Sequence, residues 1–271
     1  MENIRFLNSH THTINSHDGK YSMKEFIEYA ISYNFQYLAI TEHLDLDYKY
    51  NPLEFFCHQL DIPHYLKEFD ELNKDINHSD LYLAKGLECG YYHRCNRKYK
   101  KIIDEGDYDV IINSVHSIFH GDVYTKFVLK GKSKDKIFNK YLDTIYESLL
   151  VPYRYDIVGH IGYVTRYTNF ESNSLFDIAF REKLDKILLK IIELDKTIEI
   201  NTHDKNNNFV PEYNILKRYY ELGGRNITFS SDAHKIEDLF LNFDKVVQVA
   251  KEIGFEYLTV YKKGNKEKIK I

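Results

Sequence analysis

Residues 4–12 read I-R-F-L-N-S-H-T-H, a β-rich run over 4–8 that leads into two histidines one residue apart. Side chains alternate between the faces of a strand, so His10 and His12 share one face and can grip one metal ion together. Asp232 and His234 repeat that geometry where a run over 227–231 ends. Working outward from these stretches, further β-rich runs occupy 37–41, 81–87, 109–115, 157–159 and 197–201, with an eighth candidate at 257–261. Most of them deliver an acid or an imidazole at the far end. The second runs into Glu42 and His43, the third into Glu88, the fourth into His116 and the fifth into His160, while His17 follows shortly after the first.

Between these runs lie stretches of helical period. Residues 22–34 carry Met23, Phe26, Ile27, Ala30 and Ile31 at helical spacing, and 133–150, 182–194, 211–222 and 242–253 read the same way. Ser133 suits an N-cap. Pro211 suits the first turn of its helix, with Gly223 and Gly224 at the end. Strands alternating with helices predict an α/β fold with a parallel sheet, most simply a barrel, and 271 residues fit one such domain. Residues 46–80 form a long insertion, whose first part carries few helical signals and is expected to act as a lid or rim.

A barrel of this kind collects side chains from every strand into one pocket at its C-terminal rim. The candidate ligands His10, His12, His17, His43, Glu88, His116, His160, Asp232 and His234 are too many for one ion and about right for three. Imidazole and carboxylate suit Zn, Mn or Fe, and the two oxygens of Glu88 suit a bridge between two ions. His58, His64, His78, His93 and His120 lie outside the pattern and read as ordinary surface or structural histidines.

Composition narrows the partners. Net charge is −4, so no strongly basic balance points to nucleic acid. The run Arg94, Arg97, Lys98, Lys100 and Lys101 reads as a solvated face. No apolar run reaches the length of a membrane span, and the N-terminus lacks the pattern of a signal peptide. Three cysteines, Cys57, Cys89 and Cys95, make no disulfide or metal framework, which fits a reduced, cytoplasmic protein. Cys89, next to Glu88, is expected to line the pocket wall. Oligomeric state is not legible.

The motifs N-S-H-T-H at 8–12, I-T-E-H at 40–43, G-x-E at 86–88, S-V-H at 114–116, G-H at 159–160 and S-D-A-H at 231–234 together resemble the PHP (polymerase and histidinol phosphatase) superfamily. The resemblance runs nearly the whole length and implies a distorted (β/α)7 barrel with a trinuclear metal site. Carried over, it gives His10, His12, Glu88 and Asp232 to one ion, Glu88, His116 and His160 to a second, and His17, His43 and His234 to a third. I-T-E-H, the stretch G-H-I-G-Y-V-T-R-Y at 159–167 and E-I-N-T at 199–202 are most similar to the histidinol-phosphate phosphatase branch, where the arginine matching Arg166 grips phosphate. The implied reaction is attack on a small phosphomonoester, with histidinol phosphate the first candidate and inorganic phosphate the product. The attacking group is a hydroxide held between two ions, with Glu88 and Arg166 the central residues. Other small phosphomonoesters and phosphodiesters are the alternatives. Asp18 and His203 are candidates for protonating the leaving group, and Glu42, Asp45 and Asp47 for pairing with a substrate ammonium.

Two positions depart from the family pattern. Asn8 stands where an aspartate is usual, which is expected to alter metal affinity rather than abolish binding. After E-I-N-T the branch carries a second phosphate-binding arginine, and Asn206 occupies that position here. Lys205 can supply charge but not the bidentate fork.

Overall fold

The computed structural model describes residues 5–46, 59–76, 79–203 and 208–271. Its elements run in the order β1 (Leu7–Asn8), α1 (Met23–Ser32), β2 (Tyr37–Leu44), α2 (Ile62–Asp75), β3 (Tyr82–Gly90), α3 (Asn96–Glu105), β4 (Val110–Ser114), β5 (Ser117–Ile118), β6 (Gly121–Asp122), α4 (Lys134–Ser148), β7 (Ile157–Val158), α5 (Arg181–Glu193), β8 (Thr197–Asn201), α6 (Tyr213–Glu221), β9 (Ile227–Ser230), α7 (Phe243–Ile253), β10 (Tyr257–Lys262) and β11 (Asn265–Lys270).

Seven strands make one sheet in the order β1-β2-β3-β4-β7-β8-β9, every pair parallel. The first and last strands meet across a seam with isolated bonds rather than a continuous ladder. Ser9 N–H donates to Phe229 O at 3.1 Å, His12 N–H donates to Ala233 O at 2.9 Å, and Thr11 bridges Ala233. The result is a nearly closed (β/α)7 barrel. Its apolar core lies between the sheet and the helices: Ile40 and Leu87 are fully buried with Phe26, Phe138, Leu188, Leu216 and Val246 from α1, α4, α5, α6 and α7.

The helices begin where local chemistry favours it. Ser22 caps α1 and Glu25 returns the bond to the Ser22 backbone, a full capping box. Ser133 caps α4 through Lys136 N–H. Such caps each contribute about 1 kcal/mol. The basic run lies on the exposed side of α3, whose Tyr99 and Ile103 are buried, with Arg94 exposed in the turn just before it, so it is a solvated face as its composition suggested.

Two expectations are corrected. The eighth candidate strand, β10, pairs antiparallel with β11 and joins no barrel ladder. Its Tyr261 hydroxyl meets Thr197 Oγ1 at 2.8 Å and donates to Asp156 O at 3.0 Å, so the hairpin packs against the N-terminal ends of the barrel strands. Pro211 stands outside the first turn of its helix, because α6 begins at Tyr213 with Glu212 as N-cap. The second part of the 46–80 insertion is barrel wall: α2 carries the wholly buried Tyr65, whose hydroxyl lies 2.9 Å from both Ile40 O and Gly86 O, anchoring the helix on β2 and β3. Residues 47–58, the heart of the lid assignment, lie outside the described residues.

Candidate active site

Register brings the site together. His43 on β2 is the direct partner of Glu88 on β3, so the two side chains stand level on the inner face. By the same alternation Cys89 turns the other way, and it lies fully buried in the hydrophobic core instead of lining the pocket.

Glu88 is the hub. Its Oε1 lies 2.9 Å from His160 Nε2 and 3.1 Å from His116 Nε2. Its Oε2 lies 2.8 Å from His43 Nδ1, 3.3 Å from His10 Nε2 and 3.5 Å from His12 Nε2. Asp232 Oδ1 adds contacts at 3.1 Å to His12 and 3.6 Å to His10. Burial alone would raise the Glu88 carboxyl, yet His10, His116 and His43 hold it well below the usual range. Burial would conversely lower His10, and Glu88, Asp232 and Glu199 drive it well above the ordinary histidine value. His12 goes the other way, lowered by burial and by its neighbours His43 and His234.

Carboxylates behind the histidines set their orientation. Glu199 Oε1 takes His10 Nδ1 at 2.5 Å, and its Oε2 accepts from His160 N–H at 2.5 Å. Asp45 Oδ1 takes His116 Nδ1 at 3.1 Å. His12 Nδ1 rests on Ser16 Oγ at 3.2 Å, and Ser16 donates to Glu42 at 2.5 Å. The bonds to His10, His12 and His116 each fix one ring nitrogen and turn the other inward, as outer partners do for metal-binding histidines. Asp45 reaches His116 only because residue 90 is glycine: a Cβ there would sit 1.7 Å from Asp45 Oδ1.

The donor set fits cations. His10 Nε2 and His12 Nε2 face each other at 2.9 Å, and His116 Nε2 and His160 Nε2 at 3.3 Å. Lone pairs aimed at one another in a buried site call for a positive charge between them. Glu88 Oε2 against His43 Nδ1 and Asp18 Oδ2 against His234 Nε2 are buried close pairs, at 2.8 and 3.1 Å, that miss good hydrogen-bond alignment. Among the described residues, the ligand atoms of three groups, His10–His12–Glu88, His12–His43–His234 and His43–Glu88–His116, each lie within 4.8 Å of one another.

The remaining candidates fall around this centre. His17 stands at its edge, with Nε2 3.9 Å from Asp18 Oδ2 and its ring 5.4 Å from that of His43. Asp18 itself enters the site, 3.1 Å from His234 Nε2 and 3.6 Å from His43 Nε2. Burial raises its carboxyl but those two histidines pull it far down. Arg166 closes a short 3-10 turn after β7 and donates to Asn201 Oδ1 at 2.6 Å, without touching any of the nine candidate ligands. Lys205, Asn206 and Asp47 lie outside the described residues. Glu42 faces no ligand: Thr13 and Ser16 hold both its oxygens, which removes it as a partner for a substrate ammonium. Asp45 is likewise taken up by His116 and His43.

Sequence reasoning gave Glu199 no role and read Asp45 as a rim acid. Glu199 left one signal, since it shares a strand face with Asn201 and is an acid inside an otherwise apolar run. Asn8 bonds on every side. Its Oδ1 accepts from His10 N–H at 3.1 Å and Ser231 N–H at 3.3 Å, and its amide donates to Ser231 Oγ at 2.6 Å and Leu239 O at 2.7 Å. An ionised aspartate could not serve the Leu239 carbonyl, so asparagine suits this position.

Residues 8–203 match the PHP domain family. The chain belongs to that family. PHP proteins of known naming are similar over nearly the full length. A Clostridium acetobutylicum protein called "Probable histidinol-phosphatase" is 30% identical over 92% of this chain and 94% of its own. The histidinol-phosphatase of Lactococcus lactis is 28% identical over 95% of each chain. The solved structure of histidinol phosphate phosphatase from Lactococcus lactis, complexed with zinc, L-histidinol and phosphate, superposes with a TM-score of 0.85 at 26% identity, covering 96% of this chain and 98% of that one. The PHP barrel expected from the motifs is therefore the fold observed. Among the described residues, no helix is long and apolar enough to cross a membrane.

Proposed function

We propose that this PHP protein is a metal-dependent phosphomonoesterase that converts L-histidinol phosphate into L-histidinol and inorganic phosphate. The observation that carries the reaction class is Glu88, ionised in a buried pocket with its two oxygens turned toward different histidines. Full-length similarity to a phosphatase holding zinc, L-histidinol and phosphate supports the substrate.

Three divalent ions, Zn, Mn or Fe, suit the donors. His10, His12, Glu88 and Asp232 would hold one, Glu88, His116 and His160 a second, and His17, His43 and His234 a third. Such ions neutralise phosphoryl oxygens and make water a stronger nucleophile at neutral pH. The protein's own part is to fix that cage and the substrate. Glu199 and Asp45 orient His10 and His116. Arg166 would clamp the phosphoryl group with charge-assisted bonds, and Lys205 would add charge without a fork. The buried thiols of Cys89 and Cys95 fit a reducing, cytoplasmic setting.

Steady-state kinetics of the metal-loaded protein on L-histidinol phosphate, a generic aryl phosphate and an aryl phosphodiester test this reading. Histidinol phosphate should give the highest kcat/KM. Equal turnover of the aryl phosphate would remove the substrate assignment, and preference for the diester would remove the reaction class.

A further inference from the structure

Asn201 ends β8 with its side chain fully buried. Its Oδ1 accepts from Arg166 Nη2 at 2.6 Å and from His203 N–H at 3.0 Å, and its Nδ2 donates to Asp232 Oδ2 at 3.2 Å. Two donors aimed at one atom settle which end of the amide is oxygen. The backbone is pinned as well, since Asn201 and Val210 exchange both N–H···O bonds at 2.8 and 2.9 Å. The other oxygen of Asp232 faces His12 Nε2 at 3.1 Å. A single rigid amide thus separates the guanidinium from the metal-facing carboxylate.

We infer that Asn201 is a positioning residue that joins Arg166 to Asp232, so that phosphate capture and metal retention are coupled through one side chain. The inference rests on the reading of Arg166 as the phosphate clamp. Its physical basis is the neutrality of the amide. Among the described residues no carboxylate pairs with Arg166, and Arg166 Nε is buried without a partner. An amide oxygen therefore aims the guanidinium without cancelling its charge, which stays available for a phosphate dianion. The N–H at the other end stabilises Asp232 in its ionised, ligating form. An aspartate at 201 would keep the shape, neutralise Arg166 and set a carboxylate oxygen against Asp232.

The test is a double-mutant cycle read by calorimetric titration of inorganic phosphate into metal-loaded protein, with metal retention against a graded chelator measured in parallel. R166A should weaken phosphate binding by tens of fold and leave metal retention unchanged. N201A should weaken phosphate binding about tenfold and release metal at lower chelator concentration. Added to R166A, N201A should weaken phosphate binding by less than about twofold, because its effect runs through the guanidinium. N201D, nearly isosteric and able to fold should N201A fail to, should weaken both phosphate binding and metal retention despite its intact shape. R166A with unchanged phosphate affinity would sink both the clamp and this inference. A weakened R166A beside independent, multiplying effects of the two substitutions, or an N201D that binds phosphate and metal like the parent, would overturn the coupling alone.

Discussion

The two ends of the barrel both gather carboxylates, and they treat them in opposite ways. At the N-terminal end, Asp109 accepts from Tyr82 hydroxyl at 2.7 Å, Lys263 N–H at 2.6 Å and Lys85 N–H at 2.8 Å. Asp156 accepts from Ile111 N–H at 2.9 Å and from Arg154 at 2.8 Å, and the Tyr261 hydroxyl covers its carbonyl. Both oxygens of each acid are used within the chain. At the C-terminal rim, Glu88 Oε2 crowds His43 Nδ1 and Asp18 crowds His43 and His234 in poorly aligned pairs, and imidazole nitrogens face each other. A closed network stabilises a fold, whereas a set of inward lone pairs stabilises only what is bound to it. One end is built for stability and the other for a ligand.

The strongest way to break this contrast is at Glu88. Glu88→Ala should cut phosphatase activity on the order of a thousandfold or more, since the bridge serves several histidines and metal ions supply several kcal/mol of transition-state stabilisation. The circular dichroism spectrum should stay that of the parent. An unfolded variant, or one with activity near wild type, would contradict the division of labour. Arg166→Ala should come next, losing about 1.5–3 kcal/mol in kcat/KM with metal content intact, the range of charge-assisted hydrogen bonds. Loss of metal with unchanged phosphate affinity would make Arg166 part of the cage instead.

Glu199→Gln sharpens the comparison from behind the ligands. It keeps an acceptor but loses the charge that holds His10 and the His160 backbone, so metal affinity should fall by about 10–100-fold while the melting temperature of the metal-free protein barely moves. Competition with a metal indicator measures it, and an unchanged affinity would deny Glu199 its orienting role. At the other end, Tyr261→Phe removes one hydroxyl from the closed network. Stability should fall by about 1–2 kcal/mol in urea unfolding, with kcat unchanged. A loss of activity without a loss of stability would mean that the two ends are not separate.

The sequence was informative wherever a periodic signal and a chemical one coincided. Strands show as short apolar runs, and the side chains that leave them toward the rim are histidines and acids, so His10, His12, Glu88 and Asp232 stand out together. Length was less legible: β3 extends to Gly90, placing Glu88 inside a strand rather than beyond one. Partners distant in sequence were hidden. Glu199 reaches His10 across 189 positions, and no local pattern records that pairing. Asp45 looks like any loop acid until Gly90 lets it reach His116. The helix α2 was masked by its polar face, since only Tyr65 and Phe69 are buried along it. The hairpin of β10 and β11 has the composition of a barrel strand, and only its pairing partner distinguishes it.

Hydrolysis should depend wholly on the ions that the rim would hold. Elemental analysis of the purified protein, together with the rate of L-histidinol phosphate hydrolysis before chelation, after chelation and after metal is restored, tests it most directly. About three transition-metal ions per chain are expected, with near-complete loss of activity on stripping and recovery on reloading. Protein that contains no metal and hydrolyses the substrate at the same rate with or without a chelator would contradict it.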